Sequence, residues 1–107
     1  MAEPKVLTAR DRLIFALDVA NRHEAEELAK TLVGHVGLFK VGLELYSSEG
    51  PSIVNALLRM GAGVFLDLKL HDIPTTVERS AVVASKMSVK FLTVHASGGP
   101  RMLQAAC

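Results

Sequence analysis

Four short apolar runs recur along the sequence, and each closes on polar side chains. They are Leu13 to Leu17, followed by Asp18; Gly37 to Val41, which carries Lys40; Gly63 to Leu68, which contains Asp67 and precedes Lys69; and Lys90 to His95, with Thr93 and His95. Each is rich in Leu, Val, Ile and Phe and bounded by turn formers, the pattern of buried β-strands. Helical stretches separate them, so a βαβα repeat constrains everything that follows.

The first of those stretches pairs Asn21 with Glu24, a capping-box spacing, and repeats Ala25, Leu28, Ala29 and Leu32 before Gly34. A second helix is expected from about Pro51 through Ile53, Val54, Leu57 and Leu58 to Gly61, with proline in its first turn and glycine after its last. A third follows Pro74 over roughly Thr75 to Lys86, with Val77, Ala81, Val82 and Ala84 or Ser85 toward the sheet. Gly98-Gly99-Pro100 opens a fourth, RMLQAAC, of about two turns.

Strands alternating with helices of this length pair in parallel through right-handed crossovers, because a parallel pair needs a long connection. The α/β architectures that result are an open doubly wound sheet and a (β/α)₈ barrel. Val-Ala-Asn-Arg follows Asp18 where a dinucleotide fold would carry G-x-G-x-x-G, which counts against a dinucleotide-binding fold. Asp18, Lys40, Asp67 and His95 are 22, 27 and 28 residues apart, a spacing that implies on the order of 200 residues or more for eight units. Within a barrel, residues 1–107 would then be about half, some four βα units.

In both architectures the C-terminal strand ends carry the ligand. Side chains alternate along a strand, so Asp67 and Lys69 share a face with Phe65, while Val64, Leu66, Leu68 and Leu70 share the face that packs on helices. Two aspartates and two lysines converging on the inner face are costly unless paired, so they form a plain ion network or a site that uses the charges. Asp72, in the loop HDIP, adds a carboxylate near the rim, although an aspartate there also suits a turn. His95 is expected as a hydrogen-bonded core residue and His71 as an exposed one, and Met60, Met87 and Met102 as core filler.

Composition narrows the function classes. Twelve Lys and Arg against eleven Asp and Glu leave a net charge of +1, too little field to grip a nucleic-acid backbone. The apolar runs are short, and MAEPKVLTAR lacks the layout of a signal peptide, so a cytoplasmic location is expected. Cys107 is the single cysteine and reads as a surface thiol, and no H-E-x-x-H or comparable spacing predicts a protein-held metal.

Ala16-Leu17-Asp18, the FKVG of Phe39 to Gly42, the DLKLHDIPTT of Asp67 to Thr76 and the TVHASGG of Thr93 to Gly99 together resemble the orotidine 5′-phosphate decarboxylase family, across nearly all of the sequence after its first ten residues. The resemblance implies a TIM-barrel lyase of de novo pyrimidine biosynthesis that converts orotidine 5′-monophosphate to uridine 5′-monophosphate and CO₂ without metal or organic cofactor. It implies a homodimer with sites at the subunit interface, and makes residues 1–107 the first four or so βα units, the N-terminal part of one barrel domain. Carried onto this sequence, Asp18 and Lys40 would bind the ribose hydroxyls and orient the charges, Lys69 would deliver the proton to C6, and Asp67 would lie beside the departing carboxylate. Asp72, Ile73 and Thr76 would complete the neighbouring subunit's site, which makes Lys69, Asp67, Asp72 and Lys40 the catalytic set.

The residue types suit that chemistry. Loss of CO₂ from C6 leaves a carbanion with no obvious electron sink, so a fixed cation and a proton must both stand beside it, and a lysine among carboxylates is both. The related 3-keto-L-gulonate 6-phosphate decarboxylase shares D-x-K-x-x-D and uses Mg²⁺, but carries Glu on strand two where this sequence has Lys40. A Schiff-base lysine needs a neutral amine, which neighbouring carboxylates oppose. The family's phosphate-gripping residues come from late strands, and binding energy from a remote phosphate helps lower a chemical barrier. The alternative expectation is accordingly a non-catalytic half-barrel whose free edges pair with a second copy.

Overall fold

The computed structural model describes residues 6–107. The elements are β1 (Ile14–Ala16), α1 (Arg22–Leu32), β2 (Leu38–Gly42), α2 (Leu43–Glu49), α3 (Pro51–Arg59), β3 (Gly63–Leu70), α4 (Pro74–Lys86), β4 (Phe91–Val94) and α5 (Pro100–Ala106), with 3₁₀ turns at Arg10–Arg12 and Ala96–Gly98. The strands form one sheet in the order β1-β2-β3-β4, all neighbours parallel. Right-handed crossovers in a sequential sheet place every helix on one side, whereas a doubly wound sheet reverses its order partway. The doubly wound alternative is thereby removed.

The helix side of the sheet is the core. Leu17, Phe39, Val41, Val64 and Leu66 from the strand segments meet Ala25 and Ala29 of α1, Leu45 of α2, Ile53, Val54 and Leu57 of α3 and Ala84 of α4, all buried. Phe15 and Phe39 pack edge to face across β1 and β2, with ring centroids 6.4 Å apart. On the opposite side, Ile14 and Phe91 are 43% and 52% exposed, so the inner face of the edge strands is open among the described residues.

Local chemistry explains the helix ends. The Asn21 side chain accepts the Glu24 N–H at 3.0 Å, and Glu24 reaches back to the Ala20 N–H at 3.4 Å, closing a capping box one residue wider than the usual pairing. Pro51 starts α3 directly after Gly50, and Gly61 ends it at φ +84°, a conformation that only glycine adopts cheaply. Gly37 is needed for a different reason: a Cβ there would run into the backbone carbonyl of Asp11, where the first 3₁₀ turn crosses the foot of the sheet.

The structure departs from the sequence reading in several places. Helix α2 fills what the periodicity left as a connection between Val41 and Pro51, because seven residues with Leu45 alone fully buried give too short a pattern to register. Strand β3 runs on to Leu70, held by the pairing of Leu70 with Val94 beyond an irregularity in its register. Val82 of α4 is exposed, so Val77 and Ala84 carry that helix's buried contacts. His95 is exposed rather than a core residue, while Met102 is fully buried, as core filler should be. Among the described residues, no helix is long and apolar enough to cross a membrane.

Candidate active site at the C-terminal strand ends

Each charged side chain owes its direction to strand alternation. Phe39 and Val41 point into the helix layer and are buried, which turns Lys40 onto the opposite face. The same alternation sends Leu66 to the core and Asp67 inward. The lysine ammonium stands 3.6 Å from Asp18 Oδ1 and 3.7 Å from Asp67 Oδ2, linking the ends of β1, β2 and β3.

Asp67 is the buried charged residue among the described residues, 7% exposed. Its two oxygens have different partners. Oδ2 accepts the Lys69 ammonium at 2.7 Å and faces Lys40, while Oδ1 accepts the Thr93 hydroxyl at 2.7 Å. The hydrogen bond from Lys69, then that from Thr93, hold the carboxyl below the usual carboxylate range against the opposing effect of burial, and the charges of Lys69 and Lys40 add to the same direction. The arrangement is an alternating row of charge, Asp18, Lys40, Asp67, Lys69, presented at the open face of the sheet.

Lys69 itself sits at φ +52°, in the left-handed region, where a residue with a Cβ is strained by about 1–2 kcal/mol. The register of β3 against β4 shifts between Leu66 and Leu70, a bulge-like irregularity that contains the lysine. Its backbone N–H donates to Thr93 Oγ1 at 3.0 Å. Strain of this kind persists where the surroundings over-determine it and concentrates at functional sites.

Of the residues expected in the site, Asp18, Lys40, Asp67 and Lys69 are brought together. Asp72, Ile73 and Thr76 are not: they lie exposed around the start of α4, and among the described residues Asp72 makes no ion pair with either lysine. Asp72 Oδ1 instead accepts the Ile73 N–H at 2.7 Å, which shapes the turn into the helix. Thr93 was legible as a polar group at a strand end, but nothing in the sequence assigned it the carboxylate of Asp67. His71 and His95 stack loosely just beyond the strands, with ring centroids 5.3 Å apart.

A singly wound parallel sheet with charges gathered at its C-terminal strand ends defines a β/α-barrel protein with an active-site rim. Comparison with known proteins makes the class specific: the chain belongs to the Orotidine 5′-phosphate decarboxylase / HUMPS family, whose model matches residues 11–107. It is 51% identical over 100 residues to an orotidine 5′-phosphate decarboxylase of Heliobacterium modesticaldum, covering 94% of this chain and 41% of that protein. The enzyme of the same name from Syntrophomonas wolfei subsp. wolfei is 47% identical over 98 residues, covering 92% and 41%. Among solved structures, an uncharacterized conserved protein from Geobacillus kaustophilus superposes with a TM-score of 0.82 at 45% identity, over 87% of this chain and 43% of that one. Orotidine 5′-monophosphate decarboxylase from Methanocaldococcus jannaschii, complexed with the inhibitor BMP, gives 0.82 at 30% identity, over 88% and 44%. The chain spans about two fifths of the length of these curated relatives, and its four βα units correspond to half of a (β/α)₈ barrel.

Proposed function

We propose that this chain carries the decarboxylating charge array of an orotidine 5′-phosphate decarboxylase, acting on orotidine 5′-monophosphate in the cytoplasm. The observation that carries the proposal is the Asp67 carboxylate, buried and divided between Thr93 on one oxygen and two lysines on the other. In this reading the bond from C6 to the carboxylate breaks and its electron pair stays on C6. The Lys69 ammonium, fixed before the charge develops, stabilises that pair and then donates its proton to it, and CO₂ leaves. Asp67 stays ionised beside the substrate carboxylate. Asp18 and Lys40 bind the ribose hydroxyls, and Asp72, Ile73 and Thr76, free of the array in their own chain, reach a neighbouring subunit's site in a homodimer.

The Mg²⁺-dependent branch of the family carries Glu where this chain has Lys40, and here a divalent cation beside Asp67 would compete with the Lys40 ammonium already there. That favours the cofactor-free orotidine reaction over 3-keto-L-gulonate 6-phosphate. The test is the loss of ultraviolet absorbance of orotidine 5′-monophosphate with purified protein, beside a Lys69→Ala control. Turnover that survives in the control sinks the assignment. The second reading, a non-catalytic half-barrel paired with another copy, is favoured by the exposed Ile14 and Phe91 on the two edge strands. A monomeric mass in solution removes it.

A further inference from the structure

We propose that Thr93 is a positioning residue: its hydroxyl clips the carboxylate of Asp67 to the backbone of Lys69, and so sets the direction from which Lys69 presents its ammonium. The inference goes beyond the decarboxylase reading in its structural part and rests on that reading for its kinetic part.

The geometry runs through one oxygen atom. Thr93 Oγ1 donates to Asp67 Oδ1 at 2.7 Å and accepts the Lys69 N–H at 3.0 Å, so a single hydroxyl uses both its donor and an acceptor site on two groups within the bulged stretch of β3. Taking Oδ1 fixes the rotation of the carboxylate and leaves Oδ2 facing Lys69 and Lys40. Holding the Lys69 N–H fixes the backbone at φ +52°, a conformation that the side chain of a lysine resists. Without the hydroxyl, both constraints go at once: Asp67 is free to turn both oxygens toward the ammoniums, and the bulge is free to relax. The charged groups facing Asp67 are Lys40 from β2 and Lys69 from β3, and Thr93 from β4 is its neutral third partner. Threonine suits the post, since its branched Cβ fits a strand and restricts the hydroxyl's rotation.

The experiment compares Thr93→Val, which replaces the hydroxyl with a methyl group, and Thr93→Ser, which keeps it, in the intact protein. Carbon-13 NMR follows the titration of the Asp67 carboxyl, nitrogen-15 shifts follow the Lys69 amide, and steady-state kinetics follow orotidine 5′-monophosphate. Thr93→Val is expected to move the Asp67 titration to higher pH, displace the Lys69 amide resonance and lower kcat by about 100-fold with KM little changed. Thr93→Ser is expected to restore all three. If Thr93→Val leaves the carboxyl and amide where they were, or if Thr93→Ser falls as far as Thr93→Val, the positioning role is overturned. If both resonances move and return as stated while even the unaltered protein shows no decarboxylation, the clip stands and the decarboxylase reading fails. Should Thr93→Val unfold, Thr93→Ala removes the hydroxyl without adding a methyl group against the carboxylate, and the same resonances decide.

Discussion

The two faces of the sheet are made by the same strands and obey opposite rules. In β2, Phe39 and Val41 are buried among α1, α2 and α3, while Lys40 between them faces two carboxylates. In β3, Val64 and Leu66 do the packing and Asp67 and Lys69 form the ion pair. The outer face gains stability from apolar area removed from water. The inner face spends some of it, holding a buried carboxylate and a lysine in a strained backbone. One residue of register separates stability from chemistry, so a change at either face should show in one measurement and spare the other.

The largest separation is expected at Lys69. Lys69→Ala should lower decarboxylation of orotidine 5′-monophosphate by up to about 10⁴-fold, the upper range for a general acid. Stability in urea should fall by only about 1 kcal/mol, because the lysine side chain is 59% exposed and Asp67 keeps Thr93 and Lys40 as partners. Phe39→Ala should do the reverse. It empties a fully packed site behind the sheet and should cost about 3–5 kcal/mol in urea denaturation, with kcat retained in whatever fraction stays folded.

Acid should reach the inner face first. The Asp67 carboxyl is held below its ordinary value by Lys69 and Thr93, so its contribution to stability is present above the unfolded value, about 3.9, and is lost as pH falls through the lower native value. Urea midpoints measured downward from pH 6 should therefore fall below about pH 4, and Asp67→Asn should flatten that part of the curve. Equal acid slopes in the two proteins would show that the lysines do not hold the carboxylate. The smallest effect compares two proteins that both lack the lysine side chain: Lys69→Gly should be more stable than Lys69→Ala by about 1 kcal/mol, because glycine accepts φ +52° without strain. Equal midpoints would place the strain elsewhere.

The outer face was the legible one. Apolar spacing in the sequence located all four strands, and it found α1, α3 and α4, where enough turns repeat for a period to show; α5, as short as α2, was found from the Gly98-Gly99-Pro100 that opens it. The spacing missed α2, where a single turn of burial leaves no period. On the inner face the identity of Asp18, Lys40, Asp67 and Lys69 was readable, since a charged residue in a strand has few reasons to be there. Their geometry was not. The alternation of Phe65, Asp67 and Lys69 looks regular in sequence, and nothing in it announces a left-handed residue or a bulge, which arise from the partner strand and its threonine. Asp72, Ile73 and Thr76 were readable as a motif, but a single chain keeps them apart from the array.

The sequential order of the strands has a consequence for how such a molecule is put together. Phe15 lies opposite Phe39, Phe39 opposite Val64 and Leu66 opposite Leu92, so successive pairings close loops of 24, 25 and 26 residues. Loop closure costs grow only with the logarithm of length, so each step faces nearly the same entropic toll as the one before. In a sheet of this order each strand pairs with the edge left by the strand before it in sequence, so Asp18, Lys40 and Asp67 at the rim lie one strand apart, in the order in which they are translated.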